Sequence, residues 1–250
     1  MTQPNPPARA AVRALSARPP GYHDRTRPVA LRSEEVRAEF ITRTYLHLFG
    51  AVVAFTLLEA FYFATGLALP IATALLGTSW LLVLGGFVVV SWLATRVAHA
   101  AESPGAQYAA LGAYVLAESV IFVPLLLLAQ LAAPGVIQSA ALVTLFAFTG
   151  LTVVVFATRR DFSFLGGILG WCGVVALTLI VAGVVFGFEL GTFFSVAMIA
   201  LAGGAVLHDT SKVLRHYPED RYVAAALELF ASVALMFWYV LRLYLALRRR

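Results

Sequence analysis

Few side chains in this sequence can do chemistry, and most of those that can stand alone inside long apolar runs. Glu59, Glu118 and Glu228 lie within such runs, while Arg96, Asp209 and Arg242 lie nearer their ends. An ionisable group in hydrocarbon costs ~2.5–3.5 kcal/mol on insertion scales, so each of them is a candidate for function. The densest cluster is His208-Asp209-Thr210-Ser211-Lys212, which follows Gly203-Gly204 where an apolar stretch ends. Asp209 is placed deep enough to be partly desolvated and near enough to water to titrate, with Arg96 as its candidate cationic partner. Glu228 and Ser232 are four residues apart and share a helix face. Set across an interface from Asp209, they would make an acidic, hydroxyl-bearing patch for a proton or a cation. Two close carboxylates that share a proton respond to pH. Oxygen ligands suit Ca²⁺, so Asp209 and Glu228 are the candidate Ca²⁺ pair.

Other groups carry weaker signals. Glu118 precedes Pro124 by less than two turns, and a buried carboxylate there either lines an ion path or serves packing. Glu59 follows Thr56 by three residues, which puts both on one helix face, and it reads equally as a residue near the outer interface. His208 and His216 flank a charged loop and read as interfacial. Cys172 reads as a small core residue, which leaves neither a disulfide framework nor a cysteine metal site.

The elements that must hold these groups are membrane spans. Of the 250 residues 61% are hydrophobic and only 12% charged, against about 25% charged in a soluble domain. No charge falls between Glu59 and Arg96, between Glu118 and Arg159, or between Asp161 and Glu189. Each gap exceeds the ~20 residues that one helical crossing needs. Seven helices are expected near 45–66, 78–98, 107–130, 136–157, 163–184, 191–208 and 222–245, separated by breakers such as Leu69-Pro70, Ser103-Pro104-Gly105 and Ala133-Pro134-Gly135. The segments lack the two-residue alternation of a membrane barrel. Gly85-Gly86, Gly166-Gly167 and Gly203-Gly204 would let helices approach closely.

Residues 1–38 hold six of the eleven prolines and seven arginines and read as a disordered cytosolic tail, with 39–250 as the transmembrane domain. Lys and Arg recur in alternate loops, which puts the N-terminus in the cytoplasm and, after seven spans, the C-terminus outside. The basic excess therefore reads as topology and lipid-surface charge rather than as nucleic-acid binding.

The stretch Ala157-Thr158-Arg159-Arg160-Asp161-Phe162-Ser163-Phe164-Leu165-Gly166-Gly167 resembles the loop-and-helix signature of the Bax inhibitor (transmembrane Bax inhibitor motif) family. Also similar are Arg43-Thr44-Tyr45 with Gly50, Ala117-Glu118-Ser119, Asp209-Thr210, and Ala225-Ala226-Leu227 leading to Leu241-Arg242-Leu243. The resemblance runs from about residue 37 to 243 and looks like that of a bacterial member. It implies an all-α polytopic fold of seven transmembrane helices, the last central within a six-helix surround. It also implies a pH-sensitive calcium leak gated by two aspartates. Asp209 matches the first aspartate. The second falls at Ser232, so the gate is modified, with Glu228 one turn earlier able to supply the missing charge.

Two functions follow from the resemblance. One is a calcium or cation leak channel of the bacterial inner membrane, with Asp209, Glu228, Ser232, Glu118 and Arg96 along its path and gate. The alternative is a non-transporting regulator that binds a membrane protease or another membrane protein. No enzyme is expected, since paired catalytic aspartates within spans, a serine–histidine pair and a His-Glu-x-x-His zinc motif are all missing. No cofactor is expected either, apart from Ca²⁺ as a transported ion; the partners are the bilayer and Ca²⁺ or protons. A retinal pigment is excluded because the only lysine, Lys212, reads as part of a polar loop.

Overall fold

The computed structural model describes residues 28–101, 103–132 and 134–248. Most of the expected tail, residues 1–27, lies outside the described residues. Its described remainder is packed rather than disordered. Val29–Leu31 forms a 3-10 turn with Val29 fully buried, and the Val29 N–H donates to the Tyr217 carbonyl at 2.8 Å beside a bridge between Pro28 and Pro218. The apolar Val29 finds a core position that the surrounding prolines and arginines concealed.

Helix α1, Glu34–Ala64, begins at Ser33, whose hydroxyl accepts the Val36 N–H, and Glu34 and Glu35 complement the positive end of the helix dipole. Then follow α2 (Ala68–Gly77), α3 (Trp80–Ala100), α4 (Pro104–Ala132), α5 (Val136–Thr158), α6 (Leu165–Phe186), α7 (Thr192–Arg215) and α8 (Tyr222–Arg248). Seven of these are long and apolar enough to cross a membrane; α2, with 10 residues, spans about 15 Å and is not.

Helix α2 was not expected, because Leu69-Pro70 reads as a breaker. Pro70 instead stands in the first turn, where its missing N–H breaks no helical bond. Ala68 and Ala72 then pack against Tyr62 and Val123. Pro104 likewise opens α4, and α4 runs unbroken through Pro124. Cys172 is half-buried on the outer helix α6 and is not a core residue.

Helix α8 is the axis of the bundle. It packs against α1, α3, α4, α5 and α7, while α6 lies outside α7 and reaches the centre chiefly through it. About two-thirds (67%) of its most apolar window is buried in protein, against 11% for α6. Ala224, Ala225 and Ala226 are fully buried there, letting neighbours approach closely. The outer faces are apolar too, with Trp171, Val174 and Phe186 of α6 and Leu82 and Trp92 of α3 exposed, as lipid contact requires.

Small residues matter at particular places. A Cβ on Gly166 would stand 2.8 Å from the His208 ring, and one on Gly204 would stand 3.0 Å from Leu169, so these two glycines set the α6–α7 approach. Gly85, Gly86 and Gly167 face open space. Gly166→Ala is therefore expected to lower stability by about 1–3 kcal/mol through overpacking, while Gly167→Ala is neutral or slightly stabilising. Thermal unfolding of the two variants in detergent checks this, and equal melting temperatures would disprove the close packing.

Candidate functional site

The two halves of the predicted acidic patch do meet where α7 crosses α8. Asp209, 9% exposed, accepts a hydrogen bond from the Ser232 hydroxyl at 2.5 Å. Ser232 is where the resemblance implied a second aspartate, and it reaches Asp209 directly with a hydroxyl in place of the carboxylate.

Glu228 comes from the same face of α8, one turn earlier. Its Oε2 accepts from the Lys212 ammonium at 2.5 Å and its Oε1 pairs with His99 Nε2 at 2.8 Å. Both carboxylate oxygens are thus already engaged. The Tyr217 ring completes the cluster, stacked on His99 with centroids 5.7 Å apart and 5.3 Å from the Lys212 nitrogen. The Glu228 and Lys212 charges both act on Asp209. Helices α3, α7 and α8 and the α7–α8 loop therefore converge on one polar knot, with Asp209, Ser232 and Tyr217 buried and Glu228, Lys212 and His99 half-buried.

Three of its members escape a reading of the sequence. Hydropathy puts Lys212 in a polar loop because the apolar run stops at His208, yet α7 continues to Arg215 and carries Lys212 inward. Its spacing of three residues from Asp209 was the available signal. His99 stands one turn beyond Arg96, the partner that was expected for Asp209. Arg96 is exposed instead, with its guanidinium 5.1 Å from the Trp92 ring centre. An aromatic ring at the surface of a span holds a guanidinium without desolvating it, whereas the interior would strip its water.

Glu118 and Glu59 are buried, at 6% and 7% exposure, away from this knot. One oxygen of Glu118 and both of Glu59 are buried without a hydrogen-bond partner. Glu59 does not share a face with Thr56, which is exposed and bonded to the Val52 carbonyl. The 100° step of a helix separates residues three apart enough to straddle a boundary between core and lipid. Arg242 donates to the Leu190 carbonyl at 3.3 Å at the opposite end of the bundle.

The Thr-Arg-Arg-Asp-Phe-Ser stretch is a clamp on the end of α7. Arg159 closes α5 in the left-handed region at φ 51°, and its carbonyl accepts from the Arg215 guanidinium. Asp161 accepts from the Ser163 N–H at 2.9 Å and from the Ser211 hydroxyl at 3.1 Å, and Ser211 in turn accepts the Phe162 N–H at 3.0 Å. His208 reaches the Phe162 carbonyl at 3.4 Å. The loop thus holds both neighbours of the Asp209-Thr210 pair. Among the described residues no group of three or more His, Cys, Asp or Glu is arranged to hold a metal ion.

Six long apolar helices around a buried central one, with a charged knot at one end, define a multi-pass helical membrane protein. Residues 37–250 match the family described as inhibitor of apoptosis-promoting Bax1, and the chain belongs to this Bax inhibitor family. It is 26% identical to Protein LIFEGUARD 4 of Arabidopsis thaliana over 230 residues, covering 88% of this chain and 89% of that one. It is also 29% identical to an uncharacterized protein of Pseudomonas aeruginosa over 113 residues, which is 44% of this chain and half (50%) of that one.

The clamp has a pH signature. Hydrogen bonds from Ser163 and then Ser211, with the Arg215 charge, hold Asp161 down to about 2. A depressed carboxylate contributes stability that is complete above its unfolded value and is lost as pH falls through its folded one. Amide protection of Phe162 and Ser163 is accordingly expected to persist through the usual carboxylate range and to fail only towards pH 2. In Asp161→Asn it is reduced already at pH 7, where trypsin would cut after Arg159 and Arg160. Hydrogen exchange and limited proteolysis read this, and an Asp161→Asn loop as protected as the wild type would disprove the clamp.

Proposed function

We propose that this protein is a pH-sensitive cation leak, with Ca²⁺ as the principal cargo, in a bacterial inner membrane, and that its gate is the Asp209–Ser232 contact. The single observation that carries this reading is a buried carboxylate held by one hydroxyl at the crossing of the central helix with α7. An acid placed there changes the charge of the gate when it binds a proton, and its oxygens suit a hard cation. The unpartnered oxygens of Glu118, Glu59 and Thr44 add support. Leaving such groups buried and unpaired costs about 1–3 kcal/mol each, a cost that passage of a hydrated ion would explain. The alternation of Lys and Arg between loops supports a cytoplasmic N-terminus, which would put the gate on that side and the C-terminus outside. The protein acts without enzymatic chemistry or a cofactor.

Purified protein in liposomes is expected to take up Ca²⁺ at a rate that changes across pH 5–8, by no more than about tenfold per pH unit, the limit for one titrating group. Asp209→Asn is expected to remove the pH dependence, and Ser232→Ala to raise the basal rate by freeing Asp209. No flux above empty liposomes in any condition would sink the leak reading. It would favour a regulator that binds a membrane protease or another membrane protein.

A further inference from the structure

We propose that Lys212 is a tethered counter-ion that occupies the cation position beside Asp209 and Glu228 and so keeps the gate closed to divalent ions. This deepens the leak reading and names what blocks the site at rest. The Lys212 nitrogen stands 2.5 Å from Glu228 Oε2, within the 2.3–2.6 Å at which Ca²⁺ meets a carboxylate oxygen. It therefore stands at coordinating distance from the carboxylate that a divalent ion would need in addition to Asp209. His99 holds the other oxygen of Glu228, so the carboxylate cannot turn to offer a free face.

The side chain is fixed there from several directions. Its backbone belongs to the last turn of α7, its ammonium lies by the Tyr217 ring, and the Arg215, Ser211 and His208 contacts pin that turn to the α5–α6 loop. Its charge also acts on Asp209, one turn before it on the same helix. Because Lys212 and His99 engage both oxygens of Glu228, a cation can bind that carboxylate only by displacing one of them, which makes Lys212 and Ca²⁺ competitors for Glu228. A salt bridge that served only to join α7 to α8 would show no such competition.

Two measurements on the full-length protein in detergent test this. The first is Ca²⁺ titration calorimetry, with Mg²⁺ as control. Lys212→Met is expected to bind Ca²⁺ at least tenfold more tightly than wild type, Lys212→Arg to behave as wild type, and Lys212→Met with Glu228→Gln to lose the gain. The second needs no substitution at Lys212. As the chain's single lysine, it is scored uniquely by peptide mass after acetylation with an amine-reactive ester. Millimolar Ca²⁺, but not NaCl of equal ionic strength, is expected to speed its labelling several-fold, and Glu228→Gln to be labelled fast without Ca²⁺.

Folded Lys212→Met with unchanged Ca²⁺ affinity, or a gain that survives Glu228→Gln, would overturn the proposal. If Lys212→Met does not fold, wild-type labelling that ignores Ca²⁺ while Glu228→Gln labels fast would overturn it as well. Liposome flux stays independent of both readouts. A binding gain without flux would remove the leak and keep the counter-ion, and flux without the gain would do the reverse.

Discussion

Placing two acids where the central helix of a membrane bundle crosses its neighbour constrains everything packed around them. Asp209 is buried and Glu228 half-buried where α7 and α8 cross, and a charge withdrawn from water is tolerated only when paired and hydrogen-bonded. Satisfying them dictates which helices must come together at one end. α3 brings His99, α7 brings Lys212, and the α7–α8 loop brings Tyr217 over both. The α5–α6 loop then fixes the last turn of α7, so that Lys212 and Asp209 keep their angles. Removing one charge from such a knot would leave its partner buried and unpaired, which is why its members are best regarded as a unit.

The spans were legible because the bilayer imposes a coarse rule, a long run without charge, and the sequence obeys it between Glu59 and Arg96 and between Glu118 and Arg159. The failures all lie where a finer rule decides. Pro70 stops a helix only from the interior, and it stands in a first turn, so α2 was missed. Lys212 was placed in a loop because hydropathy falls at His208, although hydropathy marks the apolar layer and not the end of the hydrogen-bond ladder. Arg96 and His99 lie three residues apart near the end of α3, and nothing in their spacing says which one turns inward. Packing decides, sending the small imidazole to Glu228 and leaving the longer guanidinium on Trp92.

The pairing of Asp209 with Ser232 was legible for a different reason. It came from resemblance to a family, which carries three-dimensional information that periodicity does not. The same resemblance marked the Thr158–Ser163 stretch without saying what it does. Its use is mechanical: one side chain and three backbone groups of that loop grip Ser211, His208 and Arg215, on either side of Asp209 along α7.

A serine at 232, where the resemblance implies a second aspartate, then makes electrostatic sense when the whole knot is counted. Two carboxylates that share one proton carry a net charge of about −1. Here Glu228 and Lys212 form an ion pair, so the knot with Asp209 ionised again carries about −1 from these three groups. Lys212 thus stands in for the shared proton. The difference lies in what can leave: a proton departs when pH rises, whereas an ammonium on a tether departs only when something displaces it from Glu228. Under the proposed leak reading, keeping the charge of the gate while changing the carrier of the positive charge would shift its control from proton concentration alone towards competition between cations.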